Sequence, residues 1–428
     1  MTRTMRRTAV AILAAGLLAA TSSVTASVAN ADTPDFYQPP TTLPAGAGKI
    51  VKTEPSPFFL NVPGVSDTWP GNAHTIMYTS NLEDGSPVAT TGVLIDPTFP
   101  WRGPGPQPTI VMPAGTVGQG DQCAPSKNVG NAVNIQISPN LSLPVNYNLI
   151  DADAMLTLGV RVVMPDYIGL GTPGIHTYVN RIEQGNAVID ATKAANEFWN
   201  LPASTPVAFW GYSQGGGAAA SAAELVGARA PELNVIGTYA GAADPDLHKV
   251  LERADGSFLT GAVGYTLNGL LARDPELQPI IDRRLNDKGK QWLAMSATQC
   301  VIDTALTSIG TKTSDYTVDG KSFKQVIAEE PALSKALDRQ KLGTIAPASP
   351  VYLHTSLNDD IVPHYAVEDL KNEWCALGAR VEFTRDNITP PILTGTTLNH
   401  DFGAVTAAPF AVSFLLDRIN GAPVKSAC

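Results

Sequence analysis

The segment from Pro206 to Val226 does most to limit what this chain can fold into. It opens on a short apolar run of strand type, Pro206 to Trp210 (PVAFW), and closes on a small-residue run of helix type, Gly216 to Val226 (GGAAASAAELV). Between them stands Gly211-Tyr212-Ser213-Gln214-Gly215, a G-x-S-x-G. A serine between a buried strand and a helix, with glycine two residues away on each side, spells a nucleophile elbow. A turn that tight leaves no room for flanking side chains, so both positions take glycine. It also lifts the serine hydroxyl to the tip of a sheet. Serine-based hydrolysis is the chemistry implied, and the rest of the chain must then supply a base, an acid and an oxyanion hole.

The surrounding pattern extends that sheet. His74 to Ser80 and Val88 to Ile95 read as an antiparallel hairpin turning at Asp84-Gly85. Thr109 to Pro113 and Val160 to Pro165 are apolar, β-branched runs with little polar alternation, as in strands buried on both faces. Val235 to Ala240, Pro350 to His354 and Arg380 to Thr384 are further strands. Gly185 to Asn200 places Ala187, Val188, Ala191, Ala194, Ala195 and Phe198 on one helical face. Alternating strands and helices predict an α/β fold with a mostly parallel sheet.

The interval from Asp244 to Ala348 breaks the rhythm, having helical stretches and no good buried strand. It is too long for a crossover and reads as a helical cap inserted into a core formed by residues 32–243 and 349–428. Within it, Ser257 to Ala272 carries Gly261, Gly264 and Gly269, which mark close packing or a bend. Asp32 to Pro57, rich in proline and small residues, reads as an extended arm.

A serine hydroxyl needs a histidine to take its proton and a carboxylate to hold that histidine. Behind an elbow of this type the chain order is serine, acid, histidine. His74, His176 and His248 lie too early, and His354 sits inside a strand. The loop after that strand offers Asp359 and Asp360; Asp359 is nearer the strand end and is the preferred acid. Of the two later histidines, His364 shares that loop, whereas His400 follows one more helix (Tyr365 to Leu377) and one more strand. His400 is therefore the expected base. Asp166, which precedes the serine, is expected to support or cap. Backbone N–H groups of Gln214 and of Gly115 or Thr116, on the loop after Thr109 to Pro113, are the expected oxyanion donors.

The ends and the composition set the context. Arg3, Arg6 and Arg7 precede an apolar run, Ala9 to Ala20, and Ala29-Asn30-Ala31 forms a cleavage site. Residues 1–31 thus read as a secretory signal peptide. Removing them leaves 26 basic against 39 acidic side chains, a net charge of −13. An acidic protein is a poor partner for nucleic acid or an anionic membrane, though not for neutral lipid. No later run reads as long enough to anchor in a membrane. Cys123, Cys300, Cys375 and Cys428 contain no C-x-x-C and, in an exported chain, read as two disulfides with three possible connectivities.

Several dispersed segments carry a family likeness. They are Asp35 to Pro40, Cys123-Ala124-Pro125-Ser126, Pro165 to Gly171, Gly211 to Gly216, Asp359 to Pro363 and Trp374 to Ala379. In that order the chain resembles the secretory lipases of the fungal lipase A type and their bacterial relatives. The resemblance implies an α/β-hydrolase fold with a helical cap, a Ser213–His400–Asp359 triad, and disulfides Cys123–Cys300 and Cys375–Cys428. One departure is that Ala114-Gly115-Thr116 stands where the fungal proteins carry an acidic residue near the oxyanion loop. The expected activity is hydrolysis of lipid or small esters, triacylglycerol foremost, by a secreted enzyme that needs no metal or cofactor. A short-chain esterase, an exported peptidase and a non-catalytic binding protein are the alternatives.

Overall fold

The computed structural model describes residues 36–56, 71–130, 133–137 and 141–428. The expected signal peptide and cleavage site lie outside the described residues. Among the described residues nine strands form one sheet: β1 (Ile50–Ser56), β2 (Gly71–Asn81), β3 (Pro87–Pro97), β4 (Thr109–Val111), β5 (Arg161–Pro165), β6 (Val207–Tyr212), β7 (Val235–Gly241), β8 (Val351–Ser356) and β9 (Val381–Asp386). Their spatial order is β1-β2-β3-β5-β4-β6-β7-β8-β9. The pairings among β1, β2, β3 and β5 are antiparallel, and all from β5 to β9 are parallel.

The arm read from Asp32 to Pro57 is partly a strand. Its last third, β1, pairs with β2 along the sheet edge. Pro55 and two charged residues blur its pattern, but an edge strand tolerates a proline and needs only one buried face. The central strands have the two-sided burial their composition implies: Ile110, Val163 and Phe209 are inaccessible.

Helices α1 (Asn148–Thr157), α2 (Arg181–Phe198) and α3 (Gln214–Arg229) flank the sheet. Helix α2 starts earlier than its apolar face suggests, capped by Asn180, whose side chain accepts from the Glu183 N–H at 3.0 Å. It is buried on nearly every side, and its acids are paired. Asp190 meets Ser80 at 2.7 Å and Arg229 at 2.5 Å, and Glu183 meets Arg273 at 2.5 Å.

Between β7 and β8 lie seven α-helices and no strand: α4 (Leu247–Ala254), α5 (Thr260–Arg273), α6 (Gln278–Arg284), α7 (Asp287–Ser296), α8 (Val301–Ser308), α9 (Phe323–Glu329) and α10 (Pro331–Asp338). Their apolar interior is continuous with the sheet, running from Val263 and Trp292 to Leu353 and Val351. The glycines of α5 mark close packing: a Cβ on Gly264 would stand 2.4 Å from Ser296 Oγ, and one on Gly269 2.3 Å from the Thr177 carbonyl. A disulfide joins Cys123, on the loop after β4, to Cys300 at the start of α8. A second joins Cys375 in α11 (His364–Ala376) to Cys428.

The last helix, α12 (Leu398–Ile419), is long and apolar enough to cross a membrane by length and composition, contrary to the reading that no later run is. It packs against the sheet, burying Phe414 beside Tyr352, and it carries His400. Its buried residues are Asn399, His400, Gly403, Ala407, Ala411, Phe414, Leu415 and Arg418.

Candidate active site

Strand β6 ends at Tyr212 and helix α3 begins at Gln214, so Ser213 alone makes the turn. Its φ of 59° and ψ of −129° lie in a region costly for a side-chain-bearing residue. The neighbouring backbone holds it there. The Ser213 N–H donates to the Gly241 carbonyl at 2.9 Å, and its own carbonyl accepts from the Gly217 N–H at 3.0 Å. Both flanking glycines are needed, for different reasons. A Cβ on Gly211 would stand 1.9 Å from the Gly215 carbonyl oxygen across the turn. One on Gly215 would stand 2.3 Å from the Pro113 carbonyl oxygen, on the loop after β4.

His400 comes to this serine from the first turn of α12. Its Nε2 lies 2.8 Å from Ser213 Oγ, and its Nδ1 lies 2.8 Å from Asp359 Oδ2. The other oxygen of Asp359 accepts from the N–H groups of Ile361 (2.9 Å) and Val362 (2.8 Å), which fixes the carboxylate. Asp360 has a separate task. Its Oδ1 accepts from the His400 N–H at 3.1 Å, and its Oδ2 from the N–H groups of Gly395 (2.9 Å) and Thr397 (3.1 Å). One aspartate faces the ring, and its neighbour fastens the backbone that carries the ring. Tyr212 adds a bond from its hydroxyl to the His400 carbonyl at 3.0 Å.

Burial by itself disfavours a charged His400. The charge and hydrogen bond of Asp359, with Asp401 and Asp360 nearby, outweigh it and raise the imidazole pKa above its ordinary value.

Gln214 begins α3, where unpaired backbone N–H groups and the helix dipole favour negative charge. Its side chain is tied by a 3.1 Å contact between Nε2 and His176 Nε2. His176 is buried, stacked on Tyr167 at 5.2 Å, and pushed down to about 3 by that burial, so it stays neutral. Thr116 borders the same pocket as Ser213 and Gln214, and its hydroxyl meets Tyr178 at 2.7 Å. Gly115 lies beneath Tyr147, whose hydroxyl stands 2.1 Å from where a Cβ would be. Asp166 is fully buried and accepts from Thr91 at 2.6 Å and from the Ser126 N–H at 3.0 Å, bracing the loop after β4.

The pocket above Ser213 holds about 460 Å³ of empty space, open solvent included. Its walls are mostly aliphatic, with Leu247, Leu251 and Leu259 from the helical insertion and Ile361 and Val362 from the acid loop. Thr116, Tyr178, Gln214 and Thr266 add polar groups, and Asp244 is the charged residue of the lining. It is buried, its Oδ1 has no hydrogen-bond partner, and burial raises its pKa to about 8. Asp360, His176 and Asp244 escape sequence reasoning because their roles depend on which backbone and which wall they meet. Among the described residues no group of three or more His, Cys, Asp or Glu is arranged to hold a metal ion.

The remaining histidines lie apart from Ser213. His354 meets Asp386 inside the sheet, His248 meets Asp338 and His364 meets Glu368.

The secretory lipase family profile matches residues 136–427. A protein of Mycobacterium tuberculosis named a probable inactive lipase is 26% identical over 362 residues, 83% of this chain and 75% of that one. A secreted triacylglycerol lipase of Malassezia globosa is 25% identical, over 83% of this chain and 72% of that one. Among solved structures, Candida antarctica lipase A in its closed state superposes with a TM-score of 0.77 at 22% identity, covering 93% of this chain and 88% of that one. The rice cell wall degrading esterase LipA of Xanthomonas oryzae gives 0.71 at 19% identity, covering 88% and 100%. The shared architecture is the α/β-hydrolase fold.

Proposed function

The chain belongs to the secretory lipase family, and on that premise we propose that it is a secreted carboxylic-ester hydrolase whose preferred substrates are triacylglycerols. The observation that carries this reading is the unbroken contact from Asp359 through His400 to a strained Ser213, at 2.8 Å in each step. Ser213 Oγ attacks the ester carbonyl carbon while His400 Nε2 takes its proton. Asp359 keeps the ring in the productive tautomer and stabilises the imidazolium. The carbonyl oxygen, now anionic, sits between the N–H groups of Gln214 and of Thr116, or Gly115 one residue back; losing one such donor costs about 3 kcal/mol of transition-state stabilisation. As the tetrahedral centre collapses, the alcohol leaves with the proton from His400. Water, activated by the same histidine, then releases the acid and restores the serine.

Aliphatic walls support an acyl chain as the group bound, at about 0.8 kcal/mol per CH₂ buried. Residues 244–348 act in this reading as a cap over the site. Export is supported by the two disulfides and by the signal-type N-terminus.

The test is an ester series from acetate to oleate, together with triolein, using the mature chain and Ser213→Ala. Hydrolysis that persists to long chains and vanishes in the variant is the expected result. Activity confined to short chains makes the protein an esterase, and cleavage of amides alone makes it a peptidase. No turnover of any substrate would place it with the relative named inactive.

A further inference from the structure

From Asn128 to Ile150 the chain has no Asp, Glu, Lys, Arg or His. Another long uncharged run, 198–223, contains β6, the elbow and most of α3, and its apolar side chains are largely buried. The first run is different. Ile137, Leu141 and Ile150 are 72%, 73% and 72% exposed, and Ile135 is 50% exposed.

The backbone explains the pattern. Residues 133–137 and 141–146 lie side by side as a ribbon, pairing Val133 with Val145 and Gln136 with Ser142 in antiparallel fashion. Side chains alternate across such a ribbon. One face therefore carries Val133, Ile135 and Ile137 with Leu141, Leu143 and Val145. The opposite face carries Asn134, Gln136, Ser142 and Asn146. The polar face is the one fastened to the protein. Asn134 Nδ2 donates to Asn128 Oδ1 at 2.8 Å, Asn146 Nδ2 to the Pro125 carbonyl at 3.2 Å, and Ser142 bonds Asp303. On the apolar face Ile135, Ile137 and Leu141 are exposed, the reverse of an ordinary amphipathic ribbon.

Its location ties it to the site. Tyr147, directly after the ribbon, packs its hydroxyl on Gly115 and donates to the Thr116 carbonyl at 3.5 Å. We propose that this inside-out ribbon docks the enzyme on an uncharged lipid surface and sets the mouth of the Ser213 pocket against it. The choice of a neutral surface follows from charge. The ribbon has no basic residue to hold an anionic headgroup, and the chain as a whole carries a net −10. The proposal rests on the ester-hydrolase reading for its purpose, but docking can be measured without hydrolysis.

The experiment compares the mature chain with Ile137→Ser/Leu141→Ser, using Val318→Ser, exposed on the helical insertion, as control. Each is also made in a Ser213→Ala background. Flotation with phosphatidylcholine-coated triolein droplets reads docking, and hydrolysis of a dissolved short-chain ester reads the site. The double variant should lose about tenfold or more in droplet binding and droplet hydrolysis. Its rate on the dissolved ester should stay within about twofold, and the control should behave as wild type. Unchanged droplet binding overturns the proposal. So does a dimer in solution that the double variant dissociates, which would make a second copy the occupant. Stronger binding to phosphatidylserine than to phosphatidylcholine vesicles contradicts the neutral surface. If no ester is hydrolysed yet the double variant alone fails to bind droplets, docking stands and the hydrolase reading falls.

Discussion

The protein contains two buried histidine–aspartate contacts of nearly equal length, 2.8 Å for His400 with Asp359 and 2.7 Å for His354 with Asp386. They do opposite things. His354 lies within β8, flanked by Tyr239 and Phe410, and among the described residues neither of its ring nitrogens has a hydrogen-bond partner, the approach to Asp386 being close but not aligned for one. Burial lowers its pKa despite Asp386. His400 is raised, because three carboxylates converge on it, and its second nitrogen meets Ser213. A histidine against an aspartate is therefore not by itself a base. In the proposed mechanism, what makes one is the hydroxyl on the far nitrogen and enough negative charge to favour the imidazolium.

The largest effects should separate the two histidines. His400→Ala or Ser213→Ala should lower kcat by about 10⁴-fold or more. His354→Phe should leave kcat/KM within about threefold and show its effect in thermal unfolding. The aspartates come next. Asp359→Asn should cost about 10⁴-fold in kcat, through the wrong tautomer. Asp360→Asn, which loosens the backbone under the ring, should cost about 10²-fold. Asp386→Asn should be nearly silent in steady-state kinetics. A silent Asp359→Asn beside a damaging Asp386→Asn would reverse the assignment.

The pH profile sharpens the contrast. The base must be neutral to accept the serine proton, and its pKa is raised. The ascending limb of kcat/KM should therefore lie above the ordinary histidine value of about 6.5. Asp401→Asn, which removes one of the charges raising His400, should move the limb to lower pH.

Asp244 provides the smallest effect on turnover and a clear one on stability. Its folded pKa, about 8, exceeds that of an unfolded aspartate. Its contribution is thus intact below about pH 4 and is lost as pH rises towards 8, at about 1.4 kcal/mol per unit at most. Asp244→Asn should match wild type in thermal unfolding at pH 4 and exceed it at pH 8. Equal melting temperatures at both values would show that Asp244 is already solvated or paired.

Much of this arrangement is legible in the residues because local chemistry demands it. The elbow requires glycines at 211 and 215, and apolar β-branched runs reveal the central strands. Other parts depend on long-range partners. Asp359 and Asp360 are adjacent and chemically alike, and only the approach of residues 395–400 gives them different tasks. Strand β1 is hidden by Pro55, which an edge tolerates. Helix α2 reads as amphipathic, yet is buried nearly all round because Arg229 and Arg273 neutralise its acids. The ribbon of residues 133–137 and 141–145 has its alternation in plain view. Its orientation, however, is set by Asp303 and Pro125 and is inverted relative to the usual rule.

The central claim is that Ser213, driven by His400, is the nucleophile. Its most direct test is to incubate the mature chain with a fluorophosphonate ester and locate the adduct by peptide mass spectrometry. The account predicts one adduct, on Ser213, absent from Ser213→Ala and slowed by about 10⁴-fold in His400→Ala. An adduct on another residue, or labelling of Ser213 at full rate without His400, would contradict it.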